Sequence, residues 1–185
     1  PSIQDDLHFT QAGLAWVVNA YLIAFAGLLL LSGRLGDLLG RRRVLLAGLV
    51  LFTVASLLCG AAQSQAMLVG ARFLQGIGGA LATSVVLGMI ITLFPDEREQ
   101  LKALGVYGFV GSAGGAVGLV AGGLITQAIS WHWIFFINGP IGVIVIAPIR
   151  RLVPADEGTG LDPAAAGPGA RPVPRPLMVP VWPRG

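Results

Sequence analysis

One cation stands inside an otherwise uncharged apolar run: Arg72, within the stretch Met67–Phe94. An arginine at membrane depth costs roughly 2.5–3.5 kcal/mol on insertion scales, so it is usually found facing a cavity or a partner. Gln75 and Gly76 follow within a turn. Steps of four from Arg72 pass Gly76, Ala80, Ser84, Gly88 and Thr92, a narrow face of small residues that suits close helix packing. The competing reading is that Arg72 snorkels to the nearer boundary. A second group is Gly33-Arg34-Leu35-Gly36-Asp37-Leu38-Leu39-Gly40-Arg41-Arg42-Arg43. Asp37 and Arg41 are four apart, a spacing that pairs acid and base on a helical turn, and Gly36 and Gly40 permit a tight turn and close backbone approach. A plain basic loop explains the arginines but not the acid or the regular glycines. Asn19, Tyr21, Ser112 and Asn138 are polar positions in other apolar runs and are candidates to line a cavity. His132 is a lone interfacial histidine and reads as passive. Such groups support charge movement and weak polar recognition rather than bond making. Cys59 is the single cysteine, no His/Asp/Glu/Cys cluster lies near an apolar run, and Asp96, Glu97 and Glu99 read as a solvated loop. No enzyme activity, cofactor, metal site or nucleic-acid partner is expected.

The elements that position these residues are membrane helices. Of 185 residues, 55% are hydrophobic and 11% charged, against about 25% charged in a soluble domain; the mean hydropathy is +0.79. This balance excludes a disordered chain, a disulfide scaffold and an ordinary cytosolic enzyme. A span needs about 20 apolar residues, and five runs qualify: Gly13–Ser32, Val44–Ala62, Met67–Phe94, Leu104–Ile129 and Trp133–Ile149. The short connections predict antiparallel neighbours, so the fold class is an all-α membrane protein. Its natural partner is the lipid bilayer.

Charge placement orients the spans. Arg34 and Arg41–Arg43 fall in the first connection, Arg98 and Lys102 in the third, and Arg150, Arg151, Arg171, Arg175 and Arg184 after the last span; the second and fourth connections hold no Lys or Arg. The basic side is therefore expected to be cytoplasmic, in a multi-pass cell-membrane protein with its N-terminus outside and its C-terminus inside. A translocated N-terminus normally needs a signal or an earlier helix to carry it over, so at least one upstream helix is expected to be missing. Residues 1–153 read as a partial transmembrane bundle. Residues 154–185 hold 8 of the 12 prolines and read as a disordered Pro/Gly/Ala-rich cytoplasmic tail.

The fourth run is glycine-rich. Gly111 and Gly115 form one GxxxG, and Gly114, Gly118 and Gly122 form a longer stripe that lets another helix approach. A nucleotide-binding loop would need a preceding strand, which this apolar setting does not offer. In the last run Trp131 and Trp133 mark an interface, and Asn138 with Pro140 marks a polar, kinked region.

Together these segments resemble the N-terminal half of a major facilitator superfamily transporter of the fourteen-helix drug:proton antiporter type. GRLGDLLGRRR is similar to the signature loop between that family's second and third helices, RFLQGIGGA to the Arg-containing motif of its fourth, GLVAGG to the antiporter motif of its fifth, and WHWIFFINGPIG to the opening of its sixth. The resemblance covers roughly residues 1–150. It implies that the spans are helices two to six, with helix one and the C-terminal bundle missing. Asp37 and Arg41, with Gly33, Gly36, Gly40 and Arg42, would form a conformational latch. Arg72, with Gln75 and Gly76, would serve proton coupling. Gly114, Gly118, Gly122 and Gly123 would shape the antiporter helix. Leu119 stands where that motif usually has proline, and His132 where these proteins commonly have arginine.

The function implied is secondary active export of small amphipathic compounds, coupled to protons, by alternating access of two bundles around a midplane cavity. No acid lies mid-span, so a proton carrier would lie in other parts of the transporter, and this chain alone is expected not to transport. The alternative is a non-transporting membrane remnant or assembly subunit that packs through its glycine faces.

Overall fold

A computed structural model describes residues 2–152; the proposed tail, 154–185, lies outside the described residues. A short helix α1 (Ser2–Asp6) is followed by four long ones: α2 (Gln11–Leu39), α3 (Arg41–Gly60), α4 (Gln65–Leu93) and α5 (Glu97–Ala128). The last span is broken into α6 (His132–Phe136) and α7 (Asn138–Leu152). Five helical stretches are long and apolar enough to cross a membrane, as the hydropathy predicts, and no strand occurs among the described residues.

Local chemistry sets the boundaries. Thr10 Oγ1 accepts from the Gly13 amide at 3.1 Å, Ser64 Oγ from Met67 at 3.3 Å, and Asp96 Oδ1 from Arg98 and Glu99 at 3.0 and 3.1 Å. Each side chain satisfies amides that the first helical turn leaves unpaired. Asp96, Glu97 and Glu99 are thus the cap and acidic first turn of α5 rather than a loop; negative charge there complements the positive end of the helix dipole.

The first connection is shorter than the sequence reading allows. α2 runs straight through Gly33–Leu39, and the chain reverses at Gly40 alone, with φ 92° and ψ 128°. Gly36 is therefore no turn residue. It sits mid-helix, where a Cβ would meet Val85 Cγ2 of α4 at 3.2 Å. Gly40 has the special backbone, in a region that L-residues avoid at a cost of about 1–3 kcal/mol. Gly40→Ala should lower the thermal unfolding midpoint of the detergent-solubilised protein, whereas Gly27→Ala, which faces open space, should not.

α4 is the centre of the bundle. It packs along much of its length on α2 and α3, and α3 in turn carries α6 and α7. Lipid tails are as apolar as leucine, so such contacts depend on close backbone approach. Gly48 of α3 and Gly78 of α4 provide it: a Cβ on Gly48 would lie 2.8 Å from the Ala82 nitrogen, and one on Gly78 would lie 2.8 Å from the Gly48 oxygen. Two apolar clusters finish the packing. Phe9, Val17, Cys59, Leu68, Ala71, Trp131 and Phe135 gather at one end, and Val44, Leu45 and Val85 at the other.

α5 stands apart. None of its described residues is buried, and it lies only lightly against α4 and α6. Gly114, Gly118 and Gly123 have no neighbour within 4 Å of a Cβ position, and Gly122 meets only Ile134 Cδ1 at 3.9 Å. The glycine stripe expected to be a packing face is open within this chain, because no other described helix reaches that side of α5.

Candidate functional site

Arg72 points into the bundle. Its Nε donates to the Val17 carbonyl of α2 at 3.0 Å, and its Nη1 donates to Gln75 Oε1 at 2.7 Å. The guanidinium carbon lies 4.5 Å from the Tyr21 ring centroid and 5.9 Å from that of Phe135. Those partners account for the charge without snorkelling. Among the described residues no carboxylate pairs with it, so carbonyl and amide oxygens and the negative faces of two rings offset the cation. Gly76 makes this possible. A Cβ there would run into the Tyr21 carbonyl and lie 2.9 Å from Ala24 Cβ, so glycine lets α2 come close enough for Val17 to reach the guanidinium.

Behind Arg72 lies a buried polar chain. Gln75 is 2% exposed, and its Nε2 donates to Ser56 Oγ of α3 at 3.1 Å. Asn138 Nδ2, at the start of α7, donates to the same oxygen at 2.9 Å. Ser56 Oγ donates to the Phe135 carbonyl at the end of α6 at 3.1 Å. The Cys59 thiol lies 3.9 Å from Gln75 Oε1 as a weak donor. Every buried side-chain polar atom among the described residues has a partner.

Of the candidate lining residues, Tyr21 and Asn138 belong to this cluster. Asn19 and Ser112 do not: both are exposed. Asn19 and Tyr21 are two residues apart, about 200° around a helix, so α2 turns only one of them to α4. Ser56, Cys59 and Phe135 join the cluster although sequence reasoning passed over them. The available signal was that a serine in a span must find a partner.

At the opposite end, Arg41 Nη2 donates to Asp37 Oδ1 at 3.2 Å, while its Nη1 donates to Thr92 Oγ1 of α4 at 2.6 Å. Gly33, Gly36, Asp37, Arg41 and Thr92 line a cavity of about 240 Å³. Arg42 Nη2 donates to the Arg150 carbonyl of α7. The first connection, the end of α4 and the end of α7 therefore share one basic end. At the other end, Trp131 Nε1 donates to Asp6 Oδ2 at 2.8 Å, and Gln65 Nε2 donates to the Leu7 and His8 carbonyls at 3.0 Å. This is the antiparallel arrangement that the short connections predict. Among the described residues no group of three or more His, Cys, Asp or Glu is placed to hold a metal ion.

A half-buried arginine on α4, an acid–arginine pair where α2 meets α3, and the separate glycine-striped helix α5 are the features that the family resemblance assigns to its motifs. The Major Facilitator Superfamily model matches residues 1–182. The chain belongs to the Major Facilitator Superfamily. The match runs past residue 150, where the recognised motifs stop. As a member of this transporter superfamily, it is a multi-pass membrane protein and not an enzyme. It is 45% identical to the puromycin resistance protein of Streptomyces alboniger over 160 residues, 86% of this chain and 32% of that protein. It is 43% identical to the cephamycin export protein of Amycolatopsis lactamdurans over 153 residues, 83% of this chain and 32% of that one. With the lincomycin resistance protein of Streptomyces lincolnensis it shares 39% over 163 residues, 88% and 34% of the two chains. The chain spans about a third of the length of these relatives.

Proposed function

We propose that this chain supplies one helical bundle of a proton-coupled exporter of small amphipathic compounds in the cell membrane, with the basic end cytoplasmic. The observation that carries the reading is Arg72: a cation held by oxygens and ring faces, with no carboxylate partner among the described residues, where α2, α4 and α6 meet. The similarity to proteins named for puromycin and lincomycin resistance and for cephamycin export supports antibiotic-like substrates. Asn19 and Ser112, exposed on the bundle surface, are proposed to line the cavity wall facing a second bundle. Gly33, Gly36, Asp37, Gly40, Arg41 and Arg42 are proposed as the latch that holds the two bundles in one state. Gly114, Gly118, Gly122 and Gly123 are proposed to accept a helix that completes α5's surroundings.

The test is export from proteoliposomes holding the transporter that contains this bundle. An imposed pH gradient should drive accumulation of a puromycin-like substrate, and a protonophore should abolish it. Accumulation that ignores the gradient would reject the coupling. For orientation, Gln63→Cys and Gln100→Cys should react with a membrane-impermeant maleimide from opposite faces, with Gln100 on the cytoplasmic face; labelling from one face would overturn the topology.

The open glycine face of α5 favours a second reading, a non-transporting subunit that packs through it. That reading expects the 185-residue chain to form a stable complex with another membrane protein and to leave substrate gradients unchanged.

A further inference from the structure

Ser56 has no exposed surface, and its hydroxyl is fully used. A hydroxyl has one proton and two acceptor lone pairs; here the proton goes to the Phe135 carbonyl and the lone pairs accept from Gln75 and Asn138. The direction of each bond follows from Arg72. A guanidinium only donates, so Gln75 must turn Oε1 toward it, at 2.7 Å. That leaves the Gln75 NH2 facing Ser56, which accepts it and releases its own proton to Phe135. Phe135 stands one residue before the end of α6 and Asn138 opens α7, so one serine on α3 joins the cation of α4 to both sides of the break in the last span.

We propose that Ser56 is a positioning residue for coupled export, a relay that locks the orientation of the Arg72–Gln75 pair to the geometry of the α6–α7 break. The lock has two settings because Ser56 has one proton. While Arg72 holds Gln75 Oε1, the proton serves Phe135. When the guanidinium leaves Gln75, the amide is free to turn over. Ser56 must then donate to Oε1, and the Phe135 carbonyl loses its partner. A change at Arg72 is thereby converted into loosening of the break. The lock stays dry, since Gln75 and Ser56 are both buried, and a hydrogen bond exchanged in a water-free setting is felt more strongly than one at a surface. The inference rests on the proton-coupled reading above.

The experiment uses the transporter containing this bundle, reconstituted in proteoliposomes, with Ser56→Ala, Ser56→Thr, Asn138→Ala and the Ser56→Ala/Asn138→Ala double variant. Ser56→Ala and Asn138→Ala should each lower kcat on the order of tenfold, as misplaced groups do, with KM nearly unchanged and the pH of half-maximal export displaced. Ser56→Thr, which keeps the hydroxyl, should recover most of the rate. The double variant should be no worse than either single, because residues acting as one unit are not additive. Losses that multiply, with the pH profile of the unaltered protein retained, would overturn the relay. Should Ser56→Ala fail to fold, Asn138→Ala decides alone: a pH profile left in place overturns the proposal. If the unaltered transporter exports equally well with the pH gradient collapsed, the coupling reading fails instead, and the relay is then judged on the non-additivity of the rates.

Discussion

Arg72→Lys is expected to abolish gradient-driven export as completely as Arg72→Ala, although it keeps the charge. Arg72 makes its contacts through a planar fork: Nε reaches Val17 on one helix, Nη1 reaches Gln75 on its own, and the plane lies over Tyr21. A lysine ammonium is a compact, strongly hydrated point charge without that fork, so it would satisfy one partner at the expense of the other. The loss should not come from unfolding. Removing the cation relieves roughly 2.5–3.5 kcal/mol of insertion cost. Against this stand two hydrogen bonds, each averaging about 0.6 kcal/mol within membranes, and ring contacts of about 1–2 kcal/mol. These sums nearly cancel. Arg72→Ala should therefore insert and purify like the unaltered protein while its export falls by about 10²-fold, the scale associated with a misplaced reacting group. Export rate and its pH profile in proteoliposomes, measured beside the unfolding midpoint, separate the two effects. Unchanged export with an unchanged pH profile would return Arg72 to a purely structural role.

Gly78→Leu is expected to have the largest effect on stability. The Cβ it introduces would press on the Phe52 backbone and lie 2.8 Å from the Gly48 carbonyl oxygen. Both are main-chain neighbours and cannot rotate aside. α3 and α4 would have to separate, and with them the support for Ser56 and Gln75. Overpacking typically costs about 1–3 kcal/mol, which for a chain of this size corresponds to a fall of about 2–12 °C in the unfolding midpoint, and the clash with two main-chain neighbours places Gly78→Leu toward the upper end. Gly70→Leu, on the same helix but facing open space, should leave the midpoint within about 1–2 °C, as surface changes usually do. Thermal scans and size-exclusion profiles in detergent check both; equal behaviour of the two variants would show that α3 and α4 are not held by this crossing. Export should fall with stability in Gly78→Leu, unlike in Arg72→Ala, where it falls alone.

The amino-acid sequence by itself determined the number of spans, the gathering of cations at alternate connections, and the family. The spans follow from a local quantity, the transfer of a run of side chains into hydrocarbon. The caps at Thr10, Ser64 and Asp96 are local too, but only the structure fixed where each helix begins. The tertiary structure decided which face of each helix is used. It turned Tyr21 inward and Asn19 outward, carried α2 through Gly36 to a single turning residue at Gly40, and left the glycines of α5 uncovered. It also chose Ser56, set in the apolar run Leu51–Gly60, as the point where α3 is joined to α4, α6 and α7. In water, the apolar stripe of a helix announces its buried face. In lipid every face is equally greasy, so partner choice depends on the fit of small residues and on polar groups that must find one another across the bundle. That complementarity belongs to pairs such as Gly48 with Gly78 and Gln75 with Ser56, distant along the chain, and it comes into being only when the helices are packed.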